Sequence, residues 1–313
     1  MLSGVLSQKI FAPQDKLEVK ASSCLRQRFG RSSCRHCFEI CPSGALSWGE
    51  QGLRWQADQC QGCLQCVARC PSGALQARGL SLTAVVEACA EIKQPVLGCQ
   101  AQGSQGQVRL PCLGVLTDPE LLLALVLLLH KPLQLNLIPC ADCVNAAMLA
   151  PLQVAVLHVQ QKFPVQSAEL TLVSDPDQLV YREPCCDRRD FFRLVGRRSK
   201  RTGYELIERL QSSPGSQIYA HKSLPLGRRW LLQVLPLLNT EIQSAVRTSF
   251  PQRQITSSCR ACTGCVGICP TGALTAADDF ATPPDFAPHL CTNCGLCRDF
   301  CTVQGLVIST PPA

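Results

Sequence analysis

The sequence is poor in aromatic side chains and in charge, and it has no hydrophobic run long enough to span a bilayer. Aromatic residues make up 5% of the 313 positions and charged residues 17%. The longest apolar run, residues 121–129, is far shorter than the ~20 residues that a transmembrane helix needs. We therefore predict a buried helix at this run and no transmembrane segment, while peripheral membrane association stays open.

The motifs of many enzyme classes are missing as well. The sequence contains no Walker loop, no GxGxxG fingerprint, no HExxH zinc motif and no pattern that indicates a Ser-His-Asp triad. No flavin or nicotinamide site is evident. The first residues lack a charged leader followed by an apolar stretch, so we predict no signal peptide and expect a cytoplasmic protein.

What the sequence does contain is 23 cysteines. This density indicates a disulfide scaffold, zinc sites or iron–sulfur clusters. Disulfide scaffolds are typical of short secreted chains, and this chain is long, so its thiols are predicted to bind metal. Eight cysteines lie within residues 24–70 and another eight within residues 259–301. The distribution indicates two similar terminal modules around a different middle.

Three stretches share the spacing C-x2-C-x2-C-x3-C, beginning at Cys60, Cys259 and Cys291. In two-cluster bacterial ferredoxins this spacing places three thiolates on one iron–sulfur cluster and the fourth on its neighbour. Glycines within the runs are expected to let the backbone approach the cluster closely; these are Gly62, Gly264 and Gly295. Paired runs of this kind strongly indicate iron–sulfur binding.

A hexapeptide begins at the fourth cysteine of each run. CPSGAL stands at residues 41–46 and 70–75, and CPTGAL stands at 269–274. We expect its proline and glycine to turn the chain past the cluster, and a strand to resume at the leucine. The last copy, CTVQGL at 301–306, lacks the proline. There we expect the cysteine to remain a ligand and the turn to differ.

The run nearest the N-terminus is irregular. It places Arg31 where its leading cysteine should stand, three residues before Cys34. The nearest candidate is Cys24, so we predict an insertion of LRQRFGRSS between the first and second ligands. A three-iron cluster, or ligation by His36, stays open as an alternative.

The whole arrangement resembles a polyferredoxin, a cytosolic protein with two 2[4Fe–4S] modules, over about residues 24–80 and 255–310. The resemblance implies four [4Fe–4S] clusters on four ligand sets. Set I is Cys24, Cys34, Cys37 and Cys70. Set II is Cys41, Cys60, Cys63 and Cys66. Set III is Cys259, Cys262, Cys265 and Cys301. Set IV is Cys269, Cys291, Cys294 and Cys297.

The formal charge of +7 counts every cysteine as neutral. A [4Fe–4S] cluster with four thiolates carries a charge of about −2, so four of them bring the holoprotein close to neutral. The basic balance is therefore no evidence for nucleic acid, and we predict no nucleic-acid partner.

Between the terminal modules, strand and helix patterns alternate. Apolar strand patterns at residues 95–99, 107–116, 133–140 and 168–175 are separated by helix patterns after Thr117-Asp118-Pro119 and at residues 145–162. This order favours a small α/β domain with a parallel sheet.

Four cysteines lie at or just after the ends of these strands, where the edge of a parallel sheet gathers ligands. We call them the middle set: Cys99, Cys112, Cys140 and Cys143. The segment resembles the small iron–sulfur subunit of methyl-viologen-reducing hydrogenase and related heterodisulfide reductase modules. The resemblance implies one further [2Fe–2S] or other cysteine-ligated site. Zinc, a redox-active dithiol and unligated thiols stay open as alternatives.

The predicted fold is therefore α+β ferredoxin-like modules at residues 1–82 and 251–313, an α/β domain at 83–180, and a basic helical connector at 181–250. Residues 182–201 are either a solvated basic helix or a docking patch for an acidic partner or membrane. Cys89 is predicted to be a core residue of a helix. Cys185 and Cys186 are predicted to be free surface thiols, or ligands that complete the middle site.

Several carriers without visible bond chemistry favour an electron-transfer protein that is not catalytic alone. We expect an electron-wire subunit of a larger cytoplasmic oxidoreductase, of hydrogenase, formate dehydrogenase or reductase type, typical of anaerobic metabolism. Its partners would be redox-enzyme subunits, a soluble electron carrier, or both. One alternative is an enzyme that reduces a small substrate or disulfide at the middle set. Another is a scaffold or maturation factor for a redox complex.

Overall fold

A computed structural model describes residues 17–50, 52–100, 104–181, 221–279 and 281–309. The helices are α1 Leu25–Arg28, α2 His36–Glu39, α3 Gln65–Arg69, α4 Leu82–Ala90, α5 Pro119–Leu129, α6 Leu149–Lys162, α7 Pro164–Ser167, α8 Leu226–Val234, α9 Thr240–Thr248, α10 Gly264–Ile268 and α11 Leu296–Phe300. The strands are β1 Leu17–Val19, β2 Leu46–Gly49, β3 Gly52–Trp55, β4 Leu75–Ala77, β5 Val96–Cys99, β6 Val108–Leu110, β7 Leu133–Asn136, β8 Leu170–Val173, β9 Gln252–Ile255, β10 Leu274–Thr275, β11 Asp285–Phe286 and β12 Leu306–Ser309.

The middle of the chain forms a parallel four-stranded sheet with strand order β6-β5-β7-β8. Strands β5 and β7 are buried along their whole length, as expected for the inner strands of a sheet with covered faces. Helix α5 connects β6 to β7, and α6 connects β7 to β8. The predicted parallel α/β arrangement is confirmed.

Helix α5 contains the apolar run at residues 121–129, for which a buried helix was predicted. The Asp118 carboxylate accepts hydrogen bonds from the amides of Glu120 at 2.9 Å and Leu121 at 3.3 Å, and Pro119 occupies the first turn. The helix ends at His130, which is left-handed with φ 46°. Most of its side chains are buried, so the predicted buried helix is confirmed. Within the described residues no helix has the length and apolar character needed to cross a membrane.

The strand predicted at residues 107–116 is shorter than expected. Strand β6 ends at Leu110, and Leu113–Thr117 form a 3₁₀ turn. Pro111 has no amide to donate to a ladder, and the Cys112 sulfur instead accepts a hydrogen bond from the Gly114 amide at 3.5 Å. The strand therefore stops just before a predicted ligand, which lies on the turn.

The two terminal regions share one plan of paired short strands. In the first, β1 pairs with β4 and β2 pairs with β3, all antiparallel. In the last, β9 pairs with β12 and β10 pairs with β11, again antiparallel. Each copy of the hexapeptide leads directly into a strand that begins at its leucine, as predicted; these leucines are Leu46, Leu75, Leu274 and Leu306.

The described part of the predicted connector packs against the middle domain. Helix α8 lies along α5 and buries Leu231 and Val234 in the same hydrophobic core. Residues 182–220 lie outside the described part of the chain. The predictions for the basic stretch and for Cys185 and Cys186 fall there.

Candidate functional site

The three regular cysteine runs have the same backbone conformation. In each, the residues just before and just after the second cysteine are left-handed, with φ between 51° and 78°. These pairs are Gly62 and Leu64, Ala261 and Thr263, and Asn293 and Gly295. A non-glycine residue pays roughly 1–2 kcal/mol for this conformation, so Leu64, Ala261 and Thr263 carry local strain. Strain of this kind is typical of loops whose shape serves a ligand.

The hexapeptide turn is also preserved, including its fourth copy. Gly44, Gly73 and Gly272 are left-handed, with φ from 64° to 76°. In the copy without proline, Gln304 takes the same position with φ 51°, and its amide donates to the Cys301 carbonyl at 3.3 Å, as the Gly44 amide does to Cys41. The expectation that this turn differs is therefore wrong.

The glycine of the fourth copy has moved one position, to Gly305. A Cβ atom there would lie 2.7 Å from the Cys259 Cα atom, so only glycine fits. The Gly305 amide donates a hydrogen bond to the Cys301 sulfur at 3.3 Å. The close approach, rather than the left-handed residue, explains why glycine stands at 305.

In the N-terminal module the thiols gather in the two predicted sets. Burial first, and then the thiols of Cys70, Cys34 and Cys24, raise the pKa of Cys37 to about 12. Cys24 thus lies with set I, immediately before helix α1, which forms part of the predicted insertion. Burial likewise raises the pKa of Cys66, followed by the charges of its neighbours in set II. For His36, burial and the charge of Arg69 lower the pKa of the imidazole, and the charge of Glu39 opposes this shift.

The C-terminal module repeats this grouping. Burial raises the pKa of Cys265, and Cys262, Cys259 and Cys301 of set III contribute. Burial raises the pKa of Cys297 to about 12, with contributions from Cys291 and Cys269 of set IV. Crowded, buried thiolates repel one another, and a cationic metal core among them removes this cost.

One cysteine of set IV, Cys269, has a lowered pKa instead. Burial acts to raise the pKa of Cys269, but hydrogen bonds from the Thr271 hydroxyl and from the amides of Leu274, Thr271 and Ala273 bring it below its ordinary value. The Thr271 oxygen lies 3.6 Å from the Cys269 sulfur. Ser43 and Ser72 stand in the same relation to Cys41 and Cys70, at 3.6 and 3.7 Å. This hydroxyl belongs to the S or T of the hexapeptide, so the repeated motif was a signal for it that the sequence-based predictions missed.

Among the described residues, no group of three or more His, Cys, Asp or Glu side chains is placed to hold a single metal ion. One cavity is lined by all four cysteines of set II and another by all four of set IV. All described cysteines are free of disulfides.

The middle set converges at the carboxyl edge of the parallel sheet. Burial raises the pKa of Cys112 to about 12, and Cys99 and Cys140 contribute. Burial raises the pKa of Cys140 to about 11, and Cys99 and Cys143 contribute. Cys99 and Cys140 thus lie near Cys112, and Cys143 lies near Cys140; a metal centre on these four thiols stays a prediction. Cys89 is fully buried in α4, as predicted.

Backbone and amide groups surround the middle set. The Asn145 amide donates to the Cys143 sulfur at 3.4 Å, and its side-chain nitrogen lies 3.9 Å from the Cys112 sulfur. The Cys99 amide donates to the buried Ser104 hydroxyl at 3.0 Å. Asn145 could not be identified from the sequence, because it lies 33 residues after Cys112 and only the fold brings the two together.

The family model of a 4Fe–4S dicluster domain matches residues 11–74. The N-terminal region is a ferredoxin-type 4Fe–4S domain. The matched residues include all eight cysteines of sets I and II, and the match supports an iron–sulfur electron-transfer protein. Comparisons with curated proteins and with solved structures give no match.

Proposed function

We propose that this chain is a multi-cluster electron carrier, with [4Fe–4S] clusters on sets I to IV and a further iron–sulfur centre on the middle set. It would serve as the electron-transfer subunit of a larger oxidoreductase. The observation that carries the proposal is the shared loop conformation of the three regular runs. Two of these runs lie in the C-terminal module, and the third lies in the region matched by the dicluster family.

The ligand sharing between sets supports the same conclusion. Cys70 lies with the thiols of set I although the other three cysteines of its run lie in set II. Cys301 lies with set III in the same way. An exchange of the fourth ligand is the mark of the two-cluster ferredoxin arrangement, and the grouping of the thiols in both terminal modules supports it.

The iron content of anaerobically purified protein tests the proposal. Four [4Fe–4S] clusters require about 16 iron atoms per chain and as many sulfides, and a fifth centre adds at least about two. We expect electron paramagnetic resonance (EPR) spectra of the dithionite-reduced protein to show interacting paramagnetic clusters. Iron near zero, or iron for the N-terminal module alone, would contradict the proposal.

A second candidate function is reduction of a small substrate or disulfide at the middle set. Cys143 is half-buried beside the buried Cys140, so a C-x2-C dithiol reaches the surface. Cys140→Ser/Cys143→Ser separates the two functions. Loss of one EPR signal favours an electron-transfer centre, whereas disulfide reduction that disappears with every cluster signal intact favours an active site.

A further inference from the structure

Set II lies directly against the middle set. The Cys63 thiol contributes to the raised pKa of Cys112. A Cβ atom on Gly114, two residues after Cys112, would lie 2.2 Å from the Cys63 carbonyl oxygen, so the two ligand loops touch. Asn145 bridges them, since its side-chain nitrogen reaches both the Gln61 carbonyl at 3.4 Å and the Cys112 sulfur.

Set I lies against set IV across the contact between the terminal modules. Leu25, Ile268 and Leu296 form one small buried cluster, and Cys34 of set I and Cys294 of set IV both pack against it. The rings of Phe29 and Phe300 meet edge to face beside it, with centroids 5.5 Å apart.

A buried arginine fixes this second junction. The Arg28 guanidinium, 2% exposed, donates to the carbonyls of Ile268 at 3.2 Å, Gly267 at 3.3 Å and Cys269 at 3.4 Å. It also donates to the carbonyls of Ser22 and His221, each at 3.0 Å. Arg28 lies four residues after Cys24, so one side chain ties a ligand segment of set I to a ligand of set IV.

The remaining junctions lie inside the modules. The Cys37 thiol of set I contributes to the raised pKa of Cys66 in set II, and α2 packs against α3. The Cys265 thiol of set III contributes to the raised pKa of Cys297 in set IV, and α10 packs against α11.

We propose that the five ligand sets stand in one unbranched row: middle set, set II, set I, set IV, set III. The inference rests on the proposed function and adds the two junctions that lie outside the ferredoxin modules. The row has one accessible end at Cys262, which is exposed while the other described cysteines are buried or half-buried. Its other end reaches the surface at Cys143, beside Val144, which is 73% exposed. One-electron partners would therefore meet the protein at these two ends.

EPR of the fully reduced holoprotein tests the row, because neighbouring paramagnetic centres broaden each other's signals. Cys34→Ala removes the normal centre of set I. We expect it to abolish the couplings of sets II and IV to set I, while the pairs II–middle and III–IV stay coupled. Cys262→Ala, on the exposed loop, should change the coupling of set IV alone. Cys89→Ala removes a buried thiol outside all five sets and should change no coupling.

The outcomes separate the row from the proposed function. Wild-type protein without iron contradicts the proposed function itself. Iron at the expected content, with set IV unaffected by Cys34→Ala, overturns the row and leaves the carrier function standing. A middle set without a paramagnetic centre, or one coupled to set III, overturns it as well. If Cys34→Ala fails to fold, Arg28→Ala, which keeps every cysteine, still tests this junction: the coupling between sets I and IV should weaken, and an unchanged coupling would overturn the row.

Discussion

The two terminal modules have the same loops but are attached to the molecule by different forces. The N-terminal module shares the main hydrophobic core, in which Leu64, Cys66 and Val67 pack with the leucines of α5. The C-terminal module has a small core of its own. Besides the patch around Leu25, it is held by two buried arginines, Arg28 and Arg228, which donate to carbonyls of Cys269 and Cys291. The comparison shows that the same cysteine loop can be attached through an apolar core or through buried arginines that donate hydrogen bonds to its carbonyls.

The largest contrast is expected between a buried cysteine of the N-terminal module and an exposed cysteine of the C-terminal module. Cys66 is 7% exposed within the main core, whereas Cys262 is exposed. Cys66→Ala removes a ligand where metal binding and core packing are one equilibrium, so we expect a loss above about 4 kcal/mol, or insoluble protein. Cys262→Ala should lose iron from set III and leave the unfolding midpoint of the main core unchanged. Iron analysis and urea unfolding measure both; equal losses of stability would refute the contrast.

The second contrast concerns Arg28, the buried arginine that donates hydrogen bonds to the C-terminal module. Arg28→Ala leaves several buried carbonyls without their donor, and we expect a loss of about 3 kcal/mol, at the upper end for an unsatisfied buried group. The unfolding midpoint in urea measures it, and the interaction between sets I and IV should weaken in EPR.

Lys222→Ala is the matched control for Arg28→Ala. The Lys222 ammonium also donates to the Cys269 carbonyl, at 2.8 Å, and to the carbonyls of Val266 and Gly267, but it is only partly buried, so water can replace it. We expect a loss of only about 1 kcal/mol, because water can satisfy the carbonyls that lose their donor. If the two variants lose equal stability, burial of the Arg28 guanidinium is not what attaches the C-terminal module.

The sequence predicts the repeated parts of the molecule much better than the contacts between them. Cysteine spacing, through its resemblance to two-cluster ferredoxins, predicts the sets, and strand ends predict that Cys99, Cys112 and Cys140 converge. Arg28 could not be predicted in the same way. Its partners at 267–269 lie about 240 positions away, and carbonyl acceptors leave no trace in residue type. The turn after Cys301 was wrongly predicted to differ because it depends on a left-handed residue, which Gln304 supplies, and not on the proline that Thr302 replaces.

The third prediction concerns the pH dependence of stability at Asp118, which lies beside the second buried arginine, Arg228. Arg228 pairs with Glu120 on α5 and donates to the His289 carbonyl at 2.9 Å in the C-terminal module. Beside this pair, burial raises the pKa of Asp118 to about 7, and Glu120 contributes. The folded protein therefore holds a proton that the unfolded chain releases near pH 4. Ionisation of this carboxyl costs stability, which should fall by up to about 1.4 kcal/mol per pH unit between pH 4 and 7.

Asp118→Asn keeps a side-chain oxygen for the helix cap and removes the titration. We expect its stability to lack this fall, and to exceed that of the wild type at pH 7 more than at pH 4. Urea unfolding at a series of pH values measures the difference. Asp177→Asn, on an exposed turn, is the control and should follow the wild-type curve. Parallel curves for wild type and Asp118→Asn would show that Asp118 ionises normally in the fold.

The smallest expected effect compares two crossing ligands within the C-terminal module. Cys269 receives the Thr271 hydroxyl, whereas Val303 offers none to Cys301 at the equivalent position. A hydrogen bond to a ligating sulfur stabilises the more negative, reduced cluster. Thr271→Val should therefore lower the reduction potential of the cluster proposed on set IV, and Val303→Ser should raise the reduction potential of the cluster proposed on set III. One bond is worth about 1 kcal/mol, or about 40 mV for one electron. EPR-monitored redox titration measures both shifts, and shifts of the same sign in the two variants would mean that the hydroxyl does not tune the clusters.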